Sequence, residues 1–364
     1  VSLLVVSVTV LAAWSVVGAA TTQGNENFSA KWADWMRGHH AGSLVGSFER
    51  WYYTHNAPKA GGQPARLNTT PKMSAAQPGS AGAHRPHLAL PTPVALVATP
   101  ALPGEGQWVP TGPAVDGGPG MYVAQFRADT TYTSQITSAV WIDPTRLKVA
   151  MVPGSTEPGG TWPVPPMLTG AGENKAVAAF NGGFRFQDAR GGFYAFGREA
   201  VPLRDGAASM VIRDDGSVDV GAWGTETSMS PHVVSVLQNL VLMVDNGQVS
   251  SSAVHEDHKI WGATLGSKTI VARSGIGVTA DGALVYVAGP ALSARTLAES
   301  LQRAGAVRGM ALDLNPEWVT LNFFEHGANG AITGMKLYPK IQRPATRYLG
   351  PTAESRDFFS VSVP

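Results

Sequence analysis

The apolar and polar positions along the chain divide it into four regions. The first twenty residues, "VSLLVVSVTVLAAWSVVGAA", carry no charge. At roughly 1.5 Å per residue they are long enough to cross a hydrocarbon core of about 30 Å. The segment 1–22 therefore predicts export, either as a retained anchor facing outside or as a signal cleaved near Ala19 and Ala20, where small residues cluster. Residues 23–56 interleave Trp32, Trp35, Trp51, Tyr52 and Tyr53 with Lys31, Arg37 and Arg50. Ser29 is a candidate N-cap there for a short helix from Ala30 that places Trp32, Trp35 and Met36 on one face. Such a helix suits either a membrane interface or a neighbouring domain surface. Residues 57–114 are rich in Pro, Gly and Ala and show no sustained apolar period, which predicts an extended tether.

From residue 115 to 364 the pattern is that of one folded domain. Short apolar runs of strand length recur: "MYVAQF", "ITSAVWI", "LKVAMV", "AVAAF", "SMVI", "VSVLQNLVLMV", "TIVA", "ALVYVAG" and "GMALDL". Asp215-Gly216, Asn246-Gly247 and Asp281-Gly282 lie between such runs and predict tight hairpin turns. One helix is marked out between "ALVYVAG" and "GMALDL". Ser293 is its N-cap, Leu297, Ala298 and Leu301 form its buried face, Glu299 and Arg303 form an i,i+4 pair, and Gly305 is its stop. Its position makes it a crossover between neighbouring strands. The expected class is α+β: a single, mixed, largely antiparallel β-rich domain with few helices.

Composition removes several chemistries. The 364-residue chain has no cysteine, so disulfides, thiolate metal sites and thiol nucleophiles are all excluded. Its formal charge is +1, and Lys and Arg are scattered, so no nucleic-acid partner is expected. "WGATLGSKT" at 261–269 falls short of a phosphate-binding loop, because Gly262 and Gly266 enclose three residues and Ser267 precedes the Lys. "HEDHK" at 255–259 lacks the four-residue histidine spacing that puts two ligands on one helical face, so a loop is expected there.

Three stretches carry candidate chemistry. "AVAAFNGGFRF" ends a buried strand at Phe180 and then offers Asn181, the flexible pair Gly182 and Gly183, and Arg185, a planar fork suited to phosphate. Taken alone, this stretch is read first as an ordinary Asn-Gly turn. "IVARSGIGVTADGALVYV" places Arg273 in an apolar hairpin, with Gly275 and Gly277 marking a face that something approaches closely. "GMALDLNPEWVTLNFF" runs a strand into Asp313, Asn315 and Glu317. An amide, a guanidinium and carboxylates gathered at strand ends in one domain look like a reaction centre.

The order of these segments, with the Ser-capped helix between the second and third, resembles the phosphodiester glycosidase family over roughly residues 120 to 340. Asn181, Gly182, Gly183 and Phe184 are similar to the family's Asn-Gly-Gly/Tyr-Phe stretch. Arg273, Ile276 and Gly277 are similar to its "RTAIG"-like stretch, and Leu312 and Asp313 to the start of its "NLDGGGS" stretch. The resemblance implies hydrolysis of a sugar joined through its anomeric oxygen to phosphate, in an envelope polymer or exported glycan. It implies Asp313 as base or nucleophile, Arg273 as the phosphate clamp, Asn181 as a hydrogen-bonding partner of the substrate, and Glu317 as the candidate second carboxylate. This chain departs from the family after Asp313, where Leu-Asn-Pro-Glu replaces Gly-Gly-Gly-Ser and Pro316 has no N–H to offer an anion. Asn315 and Glu317 are the candidate replacements for that contact. No cofactor is expected and the metal requirement is left open. A non-catalytic envelope glycan-binding module and a glycan-phosphate transferase are the alternative readings.

Overall fold

The structure, a computed structural model, describes residues 2–22, 27–41, 43, 45, 58–64, 66–74, 87–262, 270–327 and 329–364. Among these residues the strands form three sheets. The nine-stranded sheet has the order β1 (Met73–Ser74), β2 (Val109–Val115), β3 (Gly118–Phe126), β4 (Thr137–Ile142), β15 (Leu284–Leu292), β14 (Val271–Val278), β16 (Arg308–Ala311), β12 (Leu242–Asp245) and β13 (Gln248–Val249). A five-stranded sheet runs β10 (Val218–Ala222), β9 (Ala208–Arg213), β11 (Val233–Gln238), β7 (Phe193–Ala195) and β8 (Arg198–Val201). A second five-stranded sheet runs β18 (Ile332–Lys336), β17 (Leu321–His326), β6 (Ala176–Asn181), β19 (Phe358–Ser362) and β5 (Lys148–Val152). Only β1–β2 pair in parallel among the described ladders, so the antiparallel, β-rich expectation holds. The three Asp-Gly and Asn-Gly turns join β9 to β10, β12 to β13 and β14 to β15, and Gly216, Gly247 and Gly282 all take positive φ there.

Seven helices are described: α1 (Ser2–Thr21), α2 (Phe28–Gly38), α3 (Gly170–Lys175), α4 (Phe186–Ala189), α5 (Ser251–Val254), α6 (His258–Trp261) and α7 (Ala294–Arg303). Helix α7 has the expected Ser293 cap, strengthened by Thr296, whose side chain bonds back to the Ser293 N–H. Its Leu297 and Leu301 are fully buried on one face of the nine-stranded sheet, a contribution of about 1.5–3 kcal/mol each. Two details differ from expectation. The helix connects β15 to β16, which flank β14 and are not neighbours. Its i,i+4 pair is Arg295–Glu299 at 2.7 Å, while Arg303 donates to the carbonyls of Ala95 and Ala128 and ties the preceding segment to the domain.

The opposite face of the nine-stranded sheet packs against the two smaller sheets through Phe180, Phe193, Met210, Ile276, Tyr286 and Phe359. Along β14 this division follows the strand period of two. Ala272, Ile276 and Val278 belong to that inner core, whereas a Cβ at Gly275 or Gly277 would meet Leu297 and Leu301 of α7 or Ala306. The close approach expected at these glycines is therefore that of the helix and its following turn. The run "VSVLQNLVLMV" also divides: it breaks at Asn239 to Val241, Leu240 has φ +57°, and the two halves enter different sheets.

The sheet begins before the expected boundary at 115. Strand β2 pairs with β3, Thr111 donates to the Pro71 carbonyl, Val94 is buried, and Glu105 forms a buried 2.7 Å ion pair with Arg127. Much of the expected tether at 57–114 is thus packed on the domain, because its scattered apolar and charged residues find partners across the edge of the sheet. Residues 75–86 lie outside the described residues, as do 46–57 with Arg50, Trp51, Tyr52 and Tyr53, and 263–269 of the rejected phosphate loop.

Helix α1 covers the uncharged N-terminal run. Counted over the described residues, no helix is long and apolar enough to cross a membrane. Helix α2 is capped by Asn27, to which Ser29 donates, so the cap lies two residues before the expected one. Its aromatic face packs on α1: Trp35 lies edge-on to Trp14 at 4.5 Å, and Trp32 donates to Ser15.

Candidate active site

Strand β6 ends at Asn181, where its side chain joins two sheets. Its Nδ2 donates to the Gly182 carbonyl at 2.8 Å and to Ser274 Oγ at 3.1 Å. Its Oδ1 accepts from Tyr286 Oη at 2.9 Å and from the Thr320 N–H at 3.1 Å. Burial raises the Tyr286 hydroxyl well above its ordinary pKa, which keeps it a neutral donor to Asn181. The amide is 3 % exposed and its bonding capacity is used inside the fold. Asn181 therefore braces the site, and the substrate contact expected of it is replaced by a structural one.

Ser274 extends this network to the acidic stretch, donating to Asn181 and accepting from the Asp313 N–H at 3.2 Å. Asp313 lies two residues past the end of β16 and is 5 % exposed. Its Oδ1 accepts from the Asn315 N–H at 2.9 Å, and Asn315 Oδ1 in turn accepts from the Glu317 N–H at 3.0 Å. Two successive side-chain turns thus consume the amides that a glycine-rich stretch would leave free. Asn315 shapes the "DLNPEW" turn and is half-buried.

The guanidinium at Asp313 belongs to Arg356. Its Nη2 lies 3.1 Å from Asp313 Oδ2 and also donates to the Gly183 carbonyl. Among the described residues its Nε and Nη1 make no hydrogen bond. Burial raises the Asp313 carboxyl above its ordinary pKa, opposed by Arg356 and by the N–H groups of Asn315 and Leu314. Arg273, expected as the phosphate clamp, is directed elsewhere. Its Nε donates to the Leu292 carbonyl at 3.1 Å, Nη1 to Trp261 at 3.2 Å and Nη2 to Gly262 at 3.5 Å. Burial lowers its pKa to about 10, opposed by Glu256 and Asp313. The reason is strand parity: Ser274 points to the face shared with Asn181, so its neighbour Arg273 points to the face of α7.

The floor of the site is Trp318. Arg356, Arg347 and Arg343 lie over its ring with guanidinium carbons 4.5, 5.0 and 5.7 Å from the centroid. Arg347 pairs with buried Glu354 at 2.9 Å and donates to Thr320 Oγ1 and the Glu317 carbonyl. Arg343 lies 3.8 Å from Glu354 and 3.7 Å from Glu317. Glu317 is therefore close to the arginine cluster, and its Oε1 accepts from Asn27 of the N-terminal region.

Gly182 and Gly183 serve close packing. A Cβ on Gly182 would collide with the Asp357 carboxyl, and one on Gly183 would press on Asn239 at 3.2 Å. Asn239 holds this corner by donating to the carbonyls of Ala311 and Leu312 at 2.9 Å each and accepting from the Phe184 N–H. Arg185 is half-buried at the start of α4. In "HEDHK", His255 is the C-cap just past α5, residues 255–257 form the expected loop, and only His258 and Lys259 enter a helix, α6, after the Asp257 cap. No group of three metal-ligating side chains occurs among the described residues.

Asp313, Asn181 and the glycine pair are thus brought together as the sequence indicated. Arg356, Asp357 and Asn239 are the residues that sequence reasoning missed. Arg356 and Asp357 lie in "SRDFF", and no local motif marks that stretch.

Residues 174–313 match the family model of the phosphodiester glycosidases. The matched span contains the three stretches on which the resemblance was drawn, and the match bears out that resemblance. No curated protein matches the chain. Among solved structures, the chain is similar to the zebrafish N-acetylglucosamine-1-phosphodiester alpha-N-acetylglucosaminidase catalytic domain auto-inhibited by its pro-peptide, at 15% identity over 68% of this chain and 85% of that one, with a TM-score of 0.43. It is also similar to a hypothetical protein from Synechocystis (12% identity, 69% and 64% covered, TM-score 0.37). A third likeness is to a protein from Burkholderia pseudomallei (13% identity, 65% and 75% covered, TM-score 0.30).

Proposed function

We propose that this protein hydrolyses a sugar-1-phosphodiester, breaking the bond between the anomeric carbon and the phosphate oxygen, in an envelope polymer or exported glycan. The observation that carries the reading is the buried Asp313–Arg356 pair at the end of β16, within reach of the Trp318 floor. Cleavage of an anomeric C–O–P linkage builds positive charge on the sugar and negative charge on the departing phosphate monoester. A carboxylate and a guanidinium held side by side answer those two charges. Asp313 opposes the charge at the anomeric carbon, and Arg356 offers its Nε and Nη1 to the phosphate while Trp318 keeps its plane fixed. Water supplies the hydroxyl that replaces the phosphate on the sugar, and its proton is balanced by the phosphate monoester or by solvent.

The uncharged run in α1 supports work outside the cytoplasm, anchored at a membrane or released from one. The testing experiment measures sugar release from a panel of sugar-1-phosphodiesters by the full chain, beside Asp313→Asn and Arg356→Ala. The proposal requires release by the parent chain and a loss of orders of magnitude in both variants. A new conjugate in place of free sugar identifies a transferase, and binding without any product identifies a glycan-binding module.

A further inference from the structure

We propose that Asp357 is a second carboxyl of this reaction centre and accepts the proton of the attacking water. The inference rests on the hydrolase reading above and adds a residue that the sequence did not single out. Asp357 is 4 % exposed, and its Oδ2 has no hydrogen-bond partner among the described residues. A buried carboxyl oxygen with nothing to bond is costly to a fold and is retained where it has work to do.

The surrounding backbone is built to hold it there. The Gly182 N–H donates to the Asp357 carbonyl at 3.2 Å, and Asp357 Cγ would lie 2.8 Å from a Cβ at position 182, so only glycine admits the carboxyl. Opposite, the N–H groups of Ser155, Thr156 and Glu157 donate to the carbonyls of Glu354 and Ser355, at 2.9 Å each, and a Cβ on Gly154 would collide with the Arg356 backbone. These contacts fix the segment that carries both Arg356 and Asp357.

The charged groups acting on Asp357 are Arg356, Glu157 and Asp313, and Glu157 Oε2 is likewise buried without a hydrogen bond. Burial is the larger influence: it raises the Asp357 carboxyl to about 7, against the pull of Arg356 and with Glu157 and Asp313 adding to the rise. A carboxyl that titrates near neutrality suits proton transfer better than one held permanently charged. The division of labour is then defined. Asp313, paired with Arg356, faces the developing positive charge. Asp357 takes a proton as the water oxygen bonds to the anomeric carbon and the C–O bond to phosphate breaks, and the electron pair of that bond leaves on the phosphate. The proton passes afterwards to the phosphate monoester or to solvent.

The test uses the full chain and its Asp357→Asn variant on a sugar-1-phosphodiester that the parent hydrolyses. The expected result is a kcat lowered at least 100-fold with KM within about threefold. The parent's kcat should also rise through a single ionisation between pH 6 and 8 that the variant lacks. Formate should restore activity to Asp357→Ala, because a small carboxylate can occupy the vacated space. A variant with near-parental kcat and the same pH limb overturns the role. Where Asp357→Asn fails to fold, the parent's own profile decides, and no ionisation between pH 6 and 8 overturns it equally. A parent that releases no sugar removes the hydrolase reading and this role together; a parent that releases sugar beside a fully active Asp357→Asn removes this role alone.

Discussion

Replacing Asp357 by Asn should make the protein more stable at neutral pH, and the size of the gain follows from the burial of the carboxyl. In the unfolded chain this group ionises near 3.8; in the folded protein burial raises it to about 7. Between those values the folded state binds more protons than the unfolded one, so stability falls as pH rises. The contribution is fully present below the unfolded pKa and is lost once pH passes about 7. A shift of roughly 3 units at about 1.36 kcal/mol per unit amounts to ~4 kcal/mol. For a domain of this size that corresponds to a change in Tm on the order of 10 °C. Asn has nearly the same shape and no charge to bury, so Asp357→Asn should match the parent near pH 4 and exceed it by up to that amount near pH 8. Asp313 is also raised by burial and acts on Asp357, so the difference between the two curves reports Asp357 together with its coupling to Asp313. Urea denaturation at half-unit intervals from pH 4 to pH 8 measures it. Parallel curves for parent and variant would show that Asp357 is not held neutral, and the reasoning from burial would fail.

Other substitutions test the packing and the corrected assignments. Gly182→Ala should cost about 1–3 kcal/mol by thermal melting, because the added methyl collides with the Asp357 carboxyl; a neutral effect would place that carboxyl elsewhere. Glu354→Gln leaves Arg347 without its buried counter-charge, while Arg343 keeps Glu317, and should destabilise the fold by about 3–5 kcal/mol, read by chemical denaturation. Arg273→Lys should lower Tm by loosening the α6 and β15 carbonyls it holds, while KM for a sugar-1-phosphodiester stays within about threefold. Arg356→Lys should cost at least tenfold in kcat/KM with the fold retained. The reverse ranking of those two arginines would return the phosphate contact to Arg273.

Local signals in the sequence were reliable where a single segment decides the outcome. The Asp215-Gly216, Asn246-Gly247 and Asp281-Gly282 turns and the Ser293 cap all stand as read, since turn and cap geometry depends on a few adjacent residues. The position of Asp313 at a strand end was legible for the same reason. The partner of Asp313 was not. Arg356 reaches it only because β19 pairs with β6 and brings the chain near residue 356 beside Gly182 and Gly183, a long-range contact that no spacing announces. Arg273 was misplaced by one residue of parity: a strand presents alternate side chains to opposite faces, and the face is set by the packing of α7 against Gly275 and of its following turn against Gly277. Trp318 closes the "DLNPEW" stretch, and its role as a floor for three guanidinium groups depends on loops that converge on it from residues 343 to 356.

The central claim is that the Asp313–Arg356 pair performs sugar-phosphodiester hydrolysis. Its most direct test is the rate of sugar release from a sugar-1-phosphodiester by the parent chain and by Asp313→Asn, each shown to be folded by circular dichroism. The account predicts turnover by the parent and a fall of at least 100-fold in the variant. Near-parental turnover by folded Asp313→Asn, or no release by the folded parent across the panel, would contradict it.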